Sequence, residues 1–127
     1  MATWSVQLKQ PLIYVLDDDD SVRGALGSFL RSLGFKIETF STGQQLLASE
    51  HLLQVSCVIS DVQMPAMSGF EVLGVLQQMN PPVPVILLTA FFEDPLKQKA
   101  LSLGATAFLS KPFQSQELIK ALGTVFP

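Results

Sequence analysis

Apolar and polar positions alternate along the chain between two periods. The run PLIYVL (residues 11–16) is continuously apolar, as in a strand covered on both faces. From Ser21, Val22, Ala25, Leu26, Phe29, Leu30 and Leu33 recur at helical spacing, and Gly34 supplies a stop. Gly24 and Gly27 lie inside this helix and weaken its propensity without breaking the pattern. FKIETF (35–40) has the period of two of a second strand. STGQQLLASE (41–50) opens with Ser41 and Gln44 at capping-box spacing and predicts a short helix. VSCVIS (55–60) is a third strand, and Val72, Val75, Leu76 and Met79 mark a third helix. PPVPVILLT (81–89) is a fourth strand entered through prolines. EDPLKQKALSLG (93–104) predicts a helix with Asp94 as N-cap, Pro95 at its first position and Gly104 at its end. ATAFLS (105–110) is a fifth strand. Ser115 begins the last helix, with Leu118, Ile119, Leu122 and Val125 facing inward. Residues 1–10 are expected to form a loose arm, and residues 11–127 one domain.

Five strand–helix units in succession imply an α/β domain of flavodoxin-like (βα)5 type, a doubly wound parallel sheet with helices on both faces. Such sheets bind ligands beyond the carboxyl ends of their strands, where the strand order reverses. Strand one ends in Asp17 and Asp18, strand three in Asp61, strand four in Thr89 and strand five in Lys111. Strand two ends in Phe40 and Ser41, with nothing reactive. The order 2-1-3-4-5 makes strand two an edge and brings the four chemical tips together.

Composition narrows the class. The chain has 127 residues, 48% hydrophobic and 15% charged, which suits one folded domain with a sizeable core. A net charge of −3 argues against direct nucleic-acid binding. No apolar run reaches the ~18 residues of a membrane span. The opening MATWSVQLKQ lacks the pattern of a signal peptide, so a cytoplasmic location is expected. The one cysteine, Cys57, lies in an apolar run and reads as a core thiol.

Three carboxylates converging at one site call for a cation among them or for raised pKa values. Oxygen-only ligands point to a hard cation, Mg²⁺ first, with Mn²⁺ as an alternative. Lys111 adds a positive charge suited to a phosphate or a carboxylate, and Thr89 a hydroxyl donor. The set resembles a device for placing a phosphoryl group on a carboxylate.

The segments VLDDDDSVR, ISDVQMPAMSGFEVL, VILLTA and AFLSKPF resemble the receiver domain of bacterial two-component response regulators, in particular its nitrogen-fixation and nodulation branch. The likeness runs from about Pro11 to the C-terminus, with intervals of 43, 28 and 22 residues between Asp18, Asp61, Thr89 and Lys111. It implies that Asp61 is the phosphoacceptor. Asp18, Asp61 and the backbone carbonyl of Gln63 then hold the metal, with Asp17 acting mainly through water. Thr89 binds a phosphoryl oxygen, Ala90 keeps access open, and Lys111 pairs with the site before and after transfer. Thr89 and Phe108 are the switch pair, and Gln63 and Phe91 occupy positions that tune acyl-phosphate lifetime. Phe108 is expected to rotate inward on phosphorylation.

The resemblance further implies a sensor histidine kinase or phosphotransfer protein as partner, and allows a phosphorylation-dependent homodimer through the fourth helix, fifth strand and fifth helix. The output is transcription through a downstream DNA-binding domain, or that of a single-domain regulator; a phosphate sink or relay intermediate is the alternative. Two departures from the family pattern are Ala66, where an acid is common, and Ser21, where close relatives often carry proline.

Other classes fit less well. An aspartate-nucleophile phosphatase needs an acid two residues after its nucleophile, but Val62 and Gln63 follow Asp61. A flavin module wants a Ser/Thr/Gly-rich phosphate loop after strand one, not four acids. Asp20 suits the first turn of the first helix, where a negative charge meets the dipole. His51 reads as a solvated surface residue, Met64 and Met67 as packing residues, and Trp4 has no assigned role.

Overall fold

A computed structural model describes residues 10–127. Most of the predicted arm, Trp4 included, lies outside the described residues. Five strands form one sheet: β1 (Leu12–Leu16), β2 (Lys36–Phe40), β3 (Cys57–Asp61), β4 (Val85–Thr89) and β5 (Ala107–Ser110). The order is β2-β1-β3-β4-β5, and every pairing is parallel. Five helices connect and cover them: α1 (Asp20–Ser32), α2 (Gly43–Leu47), α3 (Gly69–Gln77), α4 (Asp94–Ser102) and α5 (Ser115–Val125). A 3-10 turn, Leu52–Gln54, precedes β3. No described helix is long and apolar enough to cross a membrane.

The apolar strands are continuous because both faces of the sheet are covered. Side chains alternate across a strand. Tyr14, Leu16, Val58, Val85, Leu87 and Phe108 therefore enter one core layer with Leu46, Val72, Leu73, Leu76 and Ala100 of α2, α3 and α4. Ile13, Val15, Cys57, Ile59, Ile86 and Leu88 enter the other with Leu26 and Leu30 of α1 and Leu118 and Leu122 of α5. Cys57 is fully buried, and burial pushes its thiol up to about 12. The two layers leave the strand ends as the place for polar chemistry.

The helix termini differ in detail from the sequence pattern. Asp19 caps α1, its Oδ1 accepting from the amides of Ser21 (2.8 Å) and Val22 (3.2 Å); Asp20 is the first helical residue. Thr42, not Ser41, caps α2 by accepting from Gln45 N. The Ser41 hydroxyl reaches the Gln45 side chain instead. Glu93 stands at the cap position of α4, with Asp94 already helical, because the chain is still extended at Glu93 (φ −133°). A capping box does occur at α3, where Ser68 and Glu71 exchange hydrogen bonds. Gly34 and Gly104, with φ near +100°, end α1 and α4.

Leu33, Val75 and Ile119 fit the apolar spacing of their helices yet are exposed. They stand at the margins of stripes whose centres are Leu30, Leu76 and Leu122. His51 is half-buried rather than simply solvated: its Nδ1 lies 2.6 Å from Glu38 Oε2 on the edge strand.

Candidate functional site

The ends of β1, β3, β4 and β5 converge as the order of the strands requires. Backbone bonds just past the strands extend the ladder into the site: Asp17 N to Phe40 O (3.2 Å), Val62 N to Leu88 O (3.0 Å) and Lys111 N to Thr89 O (2.8 Å). Residues that follow buried strands are thereby fixed at their backbone.

Asp17 is fully buried and Asp61 nearly so, while Asp18 is exposed at the rim. One carboxylate oxygen from each of the three lies within 4.8 Å of the others. Lys111 reaches between the two buried acids, its Nζ 2.9 Å from Asp17 Oδ2 and 3.2 Å from Asp61 Oδ1. Apart from this ammonium, Asp17 Oδ2 is buried without a further partner. Asp17 Oδ1 accepts from Asp19 N at 2.9 Å.

Burial and the neighbouring Asp17 charge raise the Asp61 carboxyl above the ordinary carboxylate range, against the opposing pull of Lys111. For Lys111, burial works to lower the ammonium's pKa, but the contacts with Asp17 and Asp61 outweigh it and hold it above the ordinary lysine value. One ammonium thus neutralises part of a three-carboxylate cluster. The remaining negative charge and the oxygen-only donor set both fit a hard divalent cation.

Thr89 is fully buried. Its Oγ1 donates to Gln63 Oε1 (2.9 Å) and accepts from Phe91 N (2.9 Å). It therefore engages the side chain two residues beyond Asp61. Ala90 is exposed and small beside it, and the Phe91 ring is exposed. Phe108 is already buried, its ring 5.4 Å from that of Phe92. Its ring lies in the core layer of β1, β3 and β4 in this arrangement, so burial of Phe108 does not depend on phosphorylation. Met64 and Met67 pack against the core layer beneath the loop.

Four contributions went unread in the sequence. Arg23 donates to the backbone carbonyl of Asp17 (2.7 Å) and pairs with Asp20, tying the acidic turn to α1. The i,i+3 spacing of Asp20 and Arg23 was the available signal. Asp19 both caps α1 and donates its amide to Asp17. Ser60 Oγ donates to the carbonyl of Asp61 (2.8 Å). Gly69 sits against that same carbonyl: a Cβ there would lie 2.3 Å from Asp61 O.

Asp17, Asp18, Asp61, Thr89 and Lys111 thus gather at the carboxyl end of a doubly wound parallel sheet. The family model for the response regulator receiver domain matches residues 13–123, and the chain belongs to that family. It is 38% identical over 111 residues to the response regulator protein TodT of Pseudomonas putida, covering 87% of this chain and 49% of that protein. It is 39% identical over 106 residues to the transcriptional regulatory protein FixJ of Bradyrhizobium diazoefficiens, covering 84% and 52%. The chemotaxis response regulator CheY4 of Vibrio cholerae superimposes with a TM-score of 0.82 at 31% identity, covering 92% of this chain and 99% of that one. The chain spans about half the length of the curated relatives it matches.

Proposed function

We propose that this receiver accepts a phosphoryl group on Asp61 from a phosphohistidine, carried by a sensor histidine kinase or a phosphotransfer protein. The single observation that carries this reading is the pairing of Lys111 with both Asp17 and Asp61 at the end of adjacent buried strands. A carboxylate oxygen of Asp61 attacks phosphorus, the P–N bond of the donor breaks, and its electron pair leaves with the imidazole.

Asp17, Asp18, Asp61 and the backbone carbonyl of Gln63 would hold Mg²⁺, or Mn²⁺ in its place, which when bound supplies charge neutralisation at the phosphoryl oxygens. Lys111 offsets charge on the same oxygens. Thr89 donates its hydroxyl to one of them, and Ala90 leaves the approach open. Gln63 and Phe91 flank the acyl phosphate and govern water access to it. Thr89 and Phe108 relay the change to the face made by α4, β5 and α5, which is the surface for a homodimer or an output partner. Phosphorylation shifts this equilibrium only through its differential interaction with the two arrangements. The output is transcriptional, and the setting cytoplasmic. The absence of an acid two residues past Asp61 favours a phosphoacceptor over a phosphatase.

Intact-mass spectrometry with acetyl phosphate and Mg²⁺ tests the assignment. One phosphoryl group is expected on Asp61, and none on Asp61→Asn. Modification mapped to His51 or to a serine would refute it. A wild-type protein that takes up phosphate with no change in amide exchange over residues 89–111 would be a sink or relay intermediate, not a switch.

A further inference from the structure

A threonine hydroxyl carries one proton. In this structure that proton is committed: Thr89 Oγ1 donates to Gln63 Oε1 at 2.9 Å. A lone pair of the same oxygen is taken by Phe91 N, also at 2.9 Å. Thr89 is fully buried, so no water competes freely for its hydroxyl, whereas Gln63 is exposed and reaches back to it from the β3–α3 loop. The neighbour of Phe91, Phe92, stacks on buried Phe108. The hydrogen bond thus ties the loop after Asp61 to the loop that begins the path toward α4 and β5.

We propose that Gln63 is a positioning residue: its side-chain amide oxygen latches the Thr89 hydroxyl in the unphosphorylated state and must release it before Thr89 can serve a phosphoryl oxygen. The inference rests on the functional reading above and adds a regulatory element to it. Gln63 sets how far the resting equilibrium lies from the arrangement in which Thr89 faces Asp61. A neutral hydrogen bond of this kind biases an equilibrium by about 2- to 10-fold. A charge-assisted bond to a phosphoryl oxygen is stronger and overrides it, which makes the latch a restraint and not a lock.

Gln63→Met keeps the length of the side chain and removes the acceptor. Without ligand, it should shift the Thr89 methyl and Phe91 amide resonances, and Gln63→Glu, which retains an acceptor oxygen, should restore them in large part. Unmoved resonances in Gln63→Met would overturn the latch, independently of any phosphoryl chemistry. With Mg²⁺ and beryllofluoride as the probe, Gln63→Met should bind about 2- to 10-fold more tightly than wild type. The gain should vanish in a Thr89→Val background and persist in Thr89→Ser, which keeps the hydroxyl. An equal gain in all three backgrounds would place the action of Gln63 on the ligand itself and refute the proposal. Failure of the wild type to bind beryllofluoride would instead count against the phosphoacceptor reading.

Discussion

Gly69 opens α3 against the backbone of the proposed phosphoacceptor, and its replacement by alanine is a sharp test of the site's construction. A Cβ at this position would lie 2.3 Å from the carbonyl oxygen of Asp61 and 3.0 Å from the Cα of Val62. Comfortable heavy-atom contacts begin near ~3.5 Å, so the two segments must separate by about 1 Å. The obstacle is backbone on both sides. On one side β3 is paired with β1 and β4; on the other α3 is fixed by its capping box and by Val72, Leu73 and Leu76 in the core. Neither can yield cheaply. Overpacking costs about 1–3 kcal/mol, and rigid neighbours place Gly69→Ala at the upper end, near 3 kcal/mol. The better helix propensity of alanine returns less than about 1 kcal/mol. At about 3–5 °C per kcal/mol for a domain of this size, the melting temperature should fall by roughly 6–15 °C. The function should suffer more than the fold, because a misplacement of ~1 Å can cost about 100-fold in rate.

Gly43→Ala is the control. Its Cβ would meet Met67 Sδ and Val72 Cγ2, each at 2.8 Å. The Met67 side chain can swing aside but the buried Val72 cannot, so the cost should be about 1–3 kcal/mol; the strain lies away from the Asp61 backbone, so phosphorylation by acetyl phosphate should stay near the wild-type rate. Thermal unfolding and timed intact-mass spectrometry on both variants decide the matter. A Gly69→Ala protein that melts and phosphorylates like Gly43→Ala would refute the close approach and the reasoning built on it.

Two further outcomes follow from the electrostatics and the helices. Asp61 is held above the ordinary carboxylate value by burial and by Asp17. Its contribution to stability is therefore fully present below the unfolded value of about 3.9 and is lost as pH rises through the folded one. In chelator, urea unfolding should find Asp61→Asn more stable than wild type at pH 7, with the difference closing near pH 4; a less stable variant at pH 7 would contradict the sign. Gly24, Gly74 and Gly123 lie in helices with nothing within 4 Å of an added Cβ. Their joint replacement by alanine should raise stability by about 1.5–3 kcal/mol, and an unchanged denaturation midpoint would sink that estimate.

The sheet and the identity of its tips were legible because each depends on a short local signal. A five-residue apolar run covered on both faces must be buried whole, and whatever follows it emerges at the rim. That is why Asp17, Asp61 and Thr89 could be placed from the sequence; Lys111 follows the shorter, partly buried β5. The helix caps were harder. Ser41 and Thr42 are both good caps, and Glu93 and Asp94 are both acids; the choice depends on which residue leaves the extended region, not on which type it is. Val75 and Ile119 show the same limit, since the apolar stripe of a helix is wider than the strip its neighbours can cover. The Gln63–Thr89 bond had no sequence signal at all. It joins residues 26 apart whose approach is set by the β3–β4 register, and an exposed glutamine has many equivalent partners until the fold removes all but one.

The acidic turn shows how a locally repulsive sequence is made to hold. Its four aspartates are separated by environment, not by spacing. Asp17 is buried against Lys111, Asp18 faces solvent, Asp19 spends its carboxylate on two amides of α1, and Asp20 pairs with Arg23 in the first helical turn. The N-terminal end of α1 favours all of this charge. Arg23 closes the unit by donating to the carbonyl of Asp17, so the helix that Asp19 caps also holds the strand end from which Asp17 projects. What is left uncompensated is confined to the cluster of Asp17, Asp18 and Asp61. One ammonium cannot balance three carboxylates there, and that residual charge is the property that a divalent cation would use. The fold can carry it because the two apolar layers beneath, and not the site, supply its stability.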